Sequence, residues 1–252
     1  MNVKVPAHKQ PSYDEYNAVF QKECTQIYGS IIAFERALGY ALDRKRLEHA
    51  ARVLACPLKV NPPNWQHGRV IYSTVRNILA RSQGEVLLLD IGTAKGFSAM
   101  CLLWALLDSR PNVTGRVVSL DVIDPLARVR RNTIAEVDGY KTLAEILKPW
   151  PESEQIEFIQ STGVHWLSEN FDHITFAFID GKHKYEQVRL EAQLISQRQL
   201  HEDYIMFDDV HIDGVYKAAT ELKGYEKATH IKLLPGREYY LCYKQQQRIN
   251  VQ

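Results

Sequence analysis

The stretch Val86-Leu87-Leu88-Leu89-Asp90-Ile91-Gly92-Thr93-Ala94-Lys95-Gly96 is a short apolar run that closes on an acid and a glycine turn. A run of that length without polar alternation suits a strand buried on both faces, as strands of parallel sheets are. The two glycines, four apart, let the backbone turn tightly and let a ligand approach it without a Cβ in the way. Helical pattern resumes over 97–107. Further strands are read at 116–121, 156–160 and 175–180, and a fifth at 204–207 ends in Asp208-Asp209. Crossovers of a dozen or more residues separate them, which predicts a doubly wound, Rossmann-like α/β fold with right-handed connections. After 207 the pattern changes. Ile231-Lys232-Leu233-Leu234, a Pro235-Gly236 turn and Tyr239-Tyr240-Leu241-Cys242-Tyr243 read as an antiparallel C-terminal hairpin, completing a mainly parallel sheet of seven strands.

Upstream of the first strand the residues are helix formers. Ser12-Tyr13-Asp14-Glu15 fits a capping box, and Tyr16, Val19, Phe20, Cys24, Ile27 and Tyr28 recur at helical spacing. Asn61-Pro62-Pro63-Asn64 is the clearest breaker, and a further helix is expected over about 66–81. The expected division is therefore an N-terminal helical lid or oligomerisation segment over 1–64 and a catalytic domain over 65–252. The apolar stripe of that segment could seat a second copy, which makes a homo-oligomer an expectation.

The 252 residues carry 31 Lys and Arg against 30 Asp and Glu, a net charge of +1, and 45% are apolar. Such a balance removes the electrostatic argument for a nucleic-acid partner or an acidic membrane surface. No stretch reads as a membrane span, and Met1-Asn2-Val3-Lys4-Val5-Pro6 lacks the apolar core of a signal peptide, so the expected location is cytoplasmic. Cys24, Cys56, Cys101 and Cys242 are too scattered for a disulfide framework or a thiolate zinc site. Asn112-Val113-Thr114 matches a glycosylation acceptor, a chance match in a chain read as cytoplasmic.

The glycine loop is neither Gly-x-Gly-x-x-Gly nor a Walker loop, which disfavours a pyrophosphate cofactor. Asp121, closing the second strand, sits where an acid would accept from a nucleoside ribose. Asp180 ends the fourth strand and Asp208 and Asp209 the fifth, so three carboxylates should converge at one crevice. A divalent cation such as Mg²⁺ would offset their repulsion. Alternatively, Asp208 and Asp209 cap the next helix and pair with a nearby Lys or Arg. His183 is the leading general-base candidate, Lys182 its rival, and His211 a further one. Trp65 and Trp166 either face a ligand or pack in the core.

The order Asp-x-Gly-x-x-x-Gly, an acid closing the second strand, and a final antiparallel hairpin resembles the class I S-adenosylmethionine-dependent methyltransferases. More narrowly, Phe178-Ile179-Asp180-Gly181-Lys182-His183-Lys184-Tyr185-Glu186 resembles the Ile-Asp-Gly-Asp-His-x-Tyr-Glu segment of a small-molecule O-methyltransferase-like family. Ile205-Met206-Phe207-Asp208-Asp209-Val210-His211 resembles its Phe-Asp-Asp-x-His segment. The likeness runs from about 66 to 243. Lys182, where the family commonly has an acid, and an insertion over 126–151 are departures. The resemblance implies S-adenosyl-L-methionine as cofactor, bound by Asp90, Gly92, Thr93, Gly96, Asp121, Val122, Ser161 and Thr162. It further implies methyl transfer to the hydroxyl of a small-molecule substrate, aided by Mg²⁺ or a similar cation on Asp180, Asp208 and Asp209. A metal-independent methyltransferase, or a catalytically weak cofactor-binding module, is the alternative.

Overall fold

The computed structural model describes residues 12–55, 64–130, 140–234 and 237–246. The Asn61-Pro62-Pro63 breaker, Cys56, the Pro235-Gly236 turn, Gln247 and the first eleven residues lie outside the described residues. Among the described residues four helices come first: α1 (Tyr13–Cys24), α2 (Gly29–Leu38), α3 (Arg44–Ala50), which runs into a π turn at Ala51–Ala55, and α4 (His67–Leu79). The capping box is formed: Ser12 accepts from the Glu15 amide while the Glu15 carboxylate accepts from the Ser12 amide.

From there strand and helix alternate. The order is β1 (Glu85–Ile91), α5 (Phe97–Leu107), β2 (Thr114–Asp121), a small hairpin of β3 (Val129–Arg130) and β4 (Tyr140–Lys141), then α6 (Leu143–Leu147). Then come β5 (Ile156–Gln160), α7 (Gly163–Glu169), β6 (Phe176–Ile179), α8 (Tyr185–Ser196), β7 (Tyr204–Phe207), α9 (Asp213–Thr220), β8 (Tyr225–Leu234) and β9 (Arg237–Lys244). The main sheet has seven strands in the order β5-β2-β1-β6-β7-β9-β8. The pairs from β5 to β7 are parallel, and β9 enters antiparallel between β7 and β8. The expected sheet is therefore present. β1 sits where the strand order reverses, so its C-terminal end and those of β2 and β6 border a crevice, the place where open α/β sheets bind ligands.

Both sheet faces are covered. On one, α4 and α5 pack with the N-terminal helices, so that Tyr16, Phe20, Ile31 and Trp65 share a core with Val70, Trp104, Phe176 and Met206. On the other, α7, α8 and α9 bury Leu89, Val118, Trp166, Ile205 and Phe207. Helix α5 is buried along nearly its whole length. Trp65 packs its ring 4.9 Å from Phe20, and Trp166 lies in the second core, so both tryptophans are packing residues. Among the described residues no helix is long and apolar enough to cross a membrane.

Candidate active site

The turn after β1 is fastened to its neighbours by its own backbone. The amides of Gly92 and Thr93 both donate to the Leu120 carbonyl, at 2.9 and 3.1 Å. Gly92 has φ +111°, and a Cβ there would lie 2.3 Å from the main-chain oxygen of Asp180. Only glycine permits this approach, which brings the β1 and β6 loops together. Gly96 (φ +84°) caps α5, and Ala94 takes the left-handed conformation at φ 47°. The Asp121 carboxylate holds that conformation in place: Oδ2 accepts from the Ala94 amide at 2.8 Å and Oδ1 from the Ile123 amide at 3.0 Å. Each oxygen keeps a second lone pair for a ligand hydroxyl.

Beneath the loop lies a buried hydrogen-bond chain. Ser119 donates to Asp90 Oδ2 at 2.6 Å, so the 2.6 Å contact between Ser119 and Thr93 has the Thr93 hydroxyl as donor. Thr93 thus spends its hydroxyl inside the sheet. Burial pushes the Asp90 carboxyl up to about 6, against the hydrogen bonds from Ser119 and Ser98, and the Asp121 charge adds to the rise. At the end of β5, the Ser161 amide donates to the Asp121 carbonyl at 2.8 Å, while the Thr162 hydroxyl accepts from the His165 amide and caps α7. Val122 is exposed, and its carbonyl accepts from the Gln160 side chain at 3.2 Å. Asp121, Val122, Ser161 and Thr162 therefore sit together on the adjoining ends of β2 and β5.

A cavity of about 260 Å³ opens beside the loop. Gly92, Thr93 and Ala94 line one side, and Asp180, Asp208 and Asp209 another, with His67, Asn64 and Arg237 closing it. Asp208 is buried, at 6% exposure, and its Oδ1 has no hydrogen-bond partner. Burial, then the charges of Asp180 and Asp209, holds its carboxyl well above the ordinary range, against the Asp209 amide and Arg237. Asp209 stands at φ 49°, a conformation Asp tolerates better than most residues. His183 Nε2 is 3.4 Å from Asp180 Oδ1 and 3.6 Å from Asp209 Oδ2. His211 Nδ1 lies 3.7 Å from Asp209 Oδ1, and Lys182 is exposed. A larger hollow of about 870 Å³, lined by Ser196, His201 and Lys244, is at the opposite end of the sheet.

The carboxylates suit a cation. Asp180, His183 and Asp209 offer ligand atoms that all lie within 4.8 Å of one another, and the unpartnered Asp208 oxygen faces the same cavity. The tight group contains His183 where the sequence pointed to Asp208. Among the lining residues missed from sequence are Arg237, Asn64 and His67. Arg237 has a guanidinium nitrogen 3.8 Å from Asp209, and Asn64 is hydrogen-bonded to the buried Tyr239 hydroxyl at 2.9 Å. His67 stacks near-parallel to Phe178. Only Arg237 carried a usable signal, since the first residue of a strand antiparallel to β7 must stand beside the acids that end β7.

The seven-stranded order, mostly parallel with an antiparallel C-terminal hairpin, is a Rossmann-like fold of the kind methyltransferases use. Residues 89–210, just under half of the chain, match a family described as a methyltransferase domain. Solved structures of similar fold include an O-methyltransferase from Bacillus cereus in complex with SAH, at 14% identity and a TM-score of 0.54, covering 93% of this chain and 100% of that one. The O-methyltransferase TomG from Streptomyces achromogenes, in complex with SAM, gives 14% and 0.58, covering 94% and 100%. An rRNA methylase from Streptococcus thermophilus gives 14% and 0.51, covering 71% and 96%. At such identities the likeness is one of fold. No curated protein sequence matches the chain.

Proposed function

We propose that the protein is an S-adenosylmethionine-dependent methyltransferase that methylates a hydroxyl of a small molecule with the help of a divalent cation. The observation that carries this reading is the shared cavity, in which the glycine loop faces three carboxylates, one of them buried with an unpartnered oxygen. The composition supports a small acceptor, since the chain lacks the basic excess that phosphate backbones require. Bound there, the cofactor supplies an electrophilic methyl group and the cation a Lewis acid. The chain's own part is to position and to move a proton. Asp121 accepts from the ribose hydroxyls while keeping Ala94 in place, and the Gly92 backbone, where it crosses the β6 loop, lines the methionine portion. Val122, Ser161 and Thr162 border the adenine, and Asp90 and Gly96 support the loop from below and behind.

Asp180, Asp208 and Asp209 hold the cation, and His183 takes the acceptor's proton at Nε2, with Lys182 or His211 as substitutes. The closeness of His183 to Asp180 and Asp209 favours a second reading, in which Nε2 is itself a ligand. One nitrogen cannot do both. An all-oxygen set favours Mg²⁺, whereas an imidazole in the set favours Mn²⁺ or Zn²⁺, so the activating metal separates the two. The test of function is calorimetric titration with S-adenosylhomocysteine, followed by methyl transfer to small hydroxyl acceptors with and without EDTA. Cofactor binding and EDTA-sensitive transfer are expected. EDTA-resistant transfer would make the aspartates caps and ion-pair partners, and binding without transfer would leave a cofactor-binding module. The N-terminal helices, packed on the core beside the cavity, are proposed as the lid that selects the acceptor, and a cytoplasmic homo-oligomer is proposed as the working form.

A further inference from the structure

Arg237 is the first residue of β9, and the β7–β9 register (Phe207 opposite Tyr240, the Val210 amide on the Glu238 carbonyl) sets it beside the acids that end β7. Its guanidinium lines the cavity, 3.8 Å from Asp209 Oδ1, with both side chains 22% exposed. That separation is too long for a hydrogen bond, and Asp209 Oδ1 receives none. The contact is one of charge, not the two-pronged clamp that Arg69 makes on the Glu35 carboxylate.

The cavity's charges give the contact a meaning. Asp180, Asp208 and Asp209 face it with Arg237 and Lys95, and His183 and His211 stand against the same carboxylates. The unpartnered oxygen of buried Asp208 shows that Arg237 does not complete the cluster. A divalent ion seated on Asp209 would stand close to a guanidinium of its own sign. Burial holds the carboxyl of Glu23, near the end of α1, above the ordinary range, and the Arg237 charge works against that rise.

Resting on the metal-assisted reading above, we propose that Arg237 is a resident counter-ion at Asp209, which a divalent cation must drive aside before it can bind. The site is thereby held at a weaker cation affinity than its carboxylates alone would give. Arg237 thus acts on the cation through Asp209, without being a ligand itself.

Mn²⁺ alone serves as the probe, with the free ion counted by electron paramagnetic resonance during titration of the full-length protein. Arg237→Gln should bind Mn²⁺ about tenfold more tightly than wild type, from the removal of one nearby positive charge. Arg237→Met, which keeps the apolar stem, is the second neutral variant should the first fail to fold, and it should show the same gain. Arg237→Lys should return to the wild-type affinity, which a merely structural role of the guanidinium would not predict. Mn²⁺ binding to wild type with equal or weaker binding to both neutral variants overturns the counter-ion role and leaves the metal reading standing. No Mn²⁺ binding to wild type or to any variant overturns the metal reading, and this inference with it.

Discussion

Gly92 and the main-chain oxygen of Asp180 stand so close that a methyl group on the glycine would lie 2.3 Å from the oxygen. The contact ties the turn that follows β1 to the first carboxylate of the acid cluster, so the two halves of the site cannot be moved apart independently. Gly92→Ala should therefore cost about 2 to 5 kcal/mol in denaturant unfolding, from strained backbone and overpacking together. Gly84 also has positive φ but faces open space. Gly84→Ala should cost only about 1 to 2 kcal/mol. Equal losses at the two positions would show that the close approach is not maintained in solution.

Asp121 holds two backbone amides with one carboxylate. Asp121→Ala should release the Ala94 turn and remove the ribose acceptor. A lost hydrogen bond to a charged group is worth about 1.5 to 3 kcal/mol, so affinity for S-adenosylhomocysteine should fall at least about tenfold by calorimetry. An unchanged dissociation constant would take Asp121 out of the cofactor site.

Asp90 ionises near 6 in the fold, above the 3.8 of an unburied aspartate. Between those values the native state binds more protons than the unfolded chain, so the group lowers stability as pH rises from about 4 to about 6, with the loss constant above that. Asp90→Asn should remove this slope. Compared with wild type, the variant should gain on the order of 3 kcal/mol between pH 4 and pH 7 in urea unfolding. Parallel pH profiles for the two proteins would show that Asp90 is not desolvated.

Asp208 and His183 should fail in different ways. Asp208→Asn should depress methyl transfer and recover much of it at high Mg²⁺, because the ligand charge sets the affinity of the ion. His183→Gln should leave cofactor affinity nearly unchanged and lower the rate by about 10² to 10⁴, the usual worth of a positioned base. Loss of metal binding in His183→Gln would instead make the imidazole a ligand.

Where local chemistry decided the outcome, the sequence was readable almost to the residue. The expected runs 97–107, 156–160 and 204–207 coincide with α5, β5 and β7, because apolar-rich segments bounded by turn residues leave little choice of boundary. β8 is longer than expected, beginning at Tyr225 rather than Ile231. Its first half, Tyr225-Glu226-Lys227-Ala228-Thr229-His230, carries the charge that edge strands use to discourage further pairing, and so resembles a loop. The insertion over 126–151 holds a hairpin of two-residue strands, too short for any periodicity. In the site, the acids were legible because each ends a strand. His67 and Asn64 were not, since they reach the cavity through the packing of α4 against α5 and Tyr239, which no local pattern records.

The position of β9 between β7 and β8 bears on how the chain is made. A ribosome delivers β7 some thirty residues ahead of Arg237–Lys244, and throughout that interval the β7 edge has no partner on its far side. Phe207 and Asp208 must wait at an open, adhesive margin until the returning strand arrives. An edge left without its partner is a template for mispairing for as long as β9 is missing. The same strand that seals the margin also brings Arg237 to the carboxylates, so closing the sheet and balancing the charge of the site are one event in the birth of the molecule.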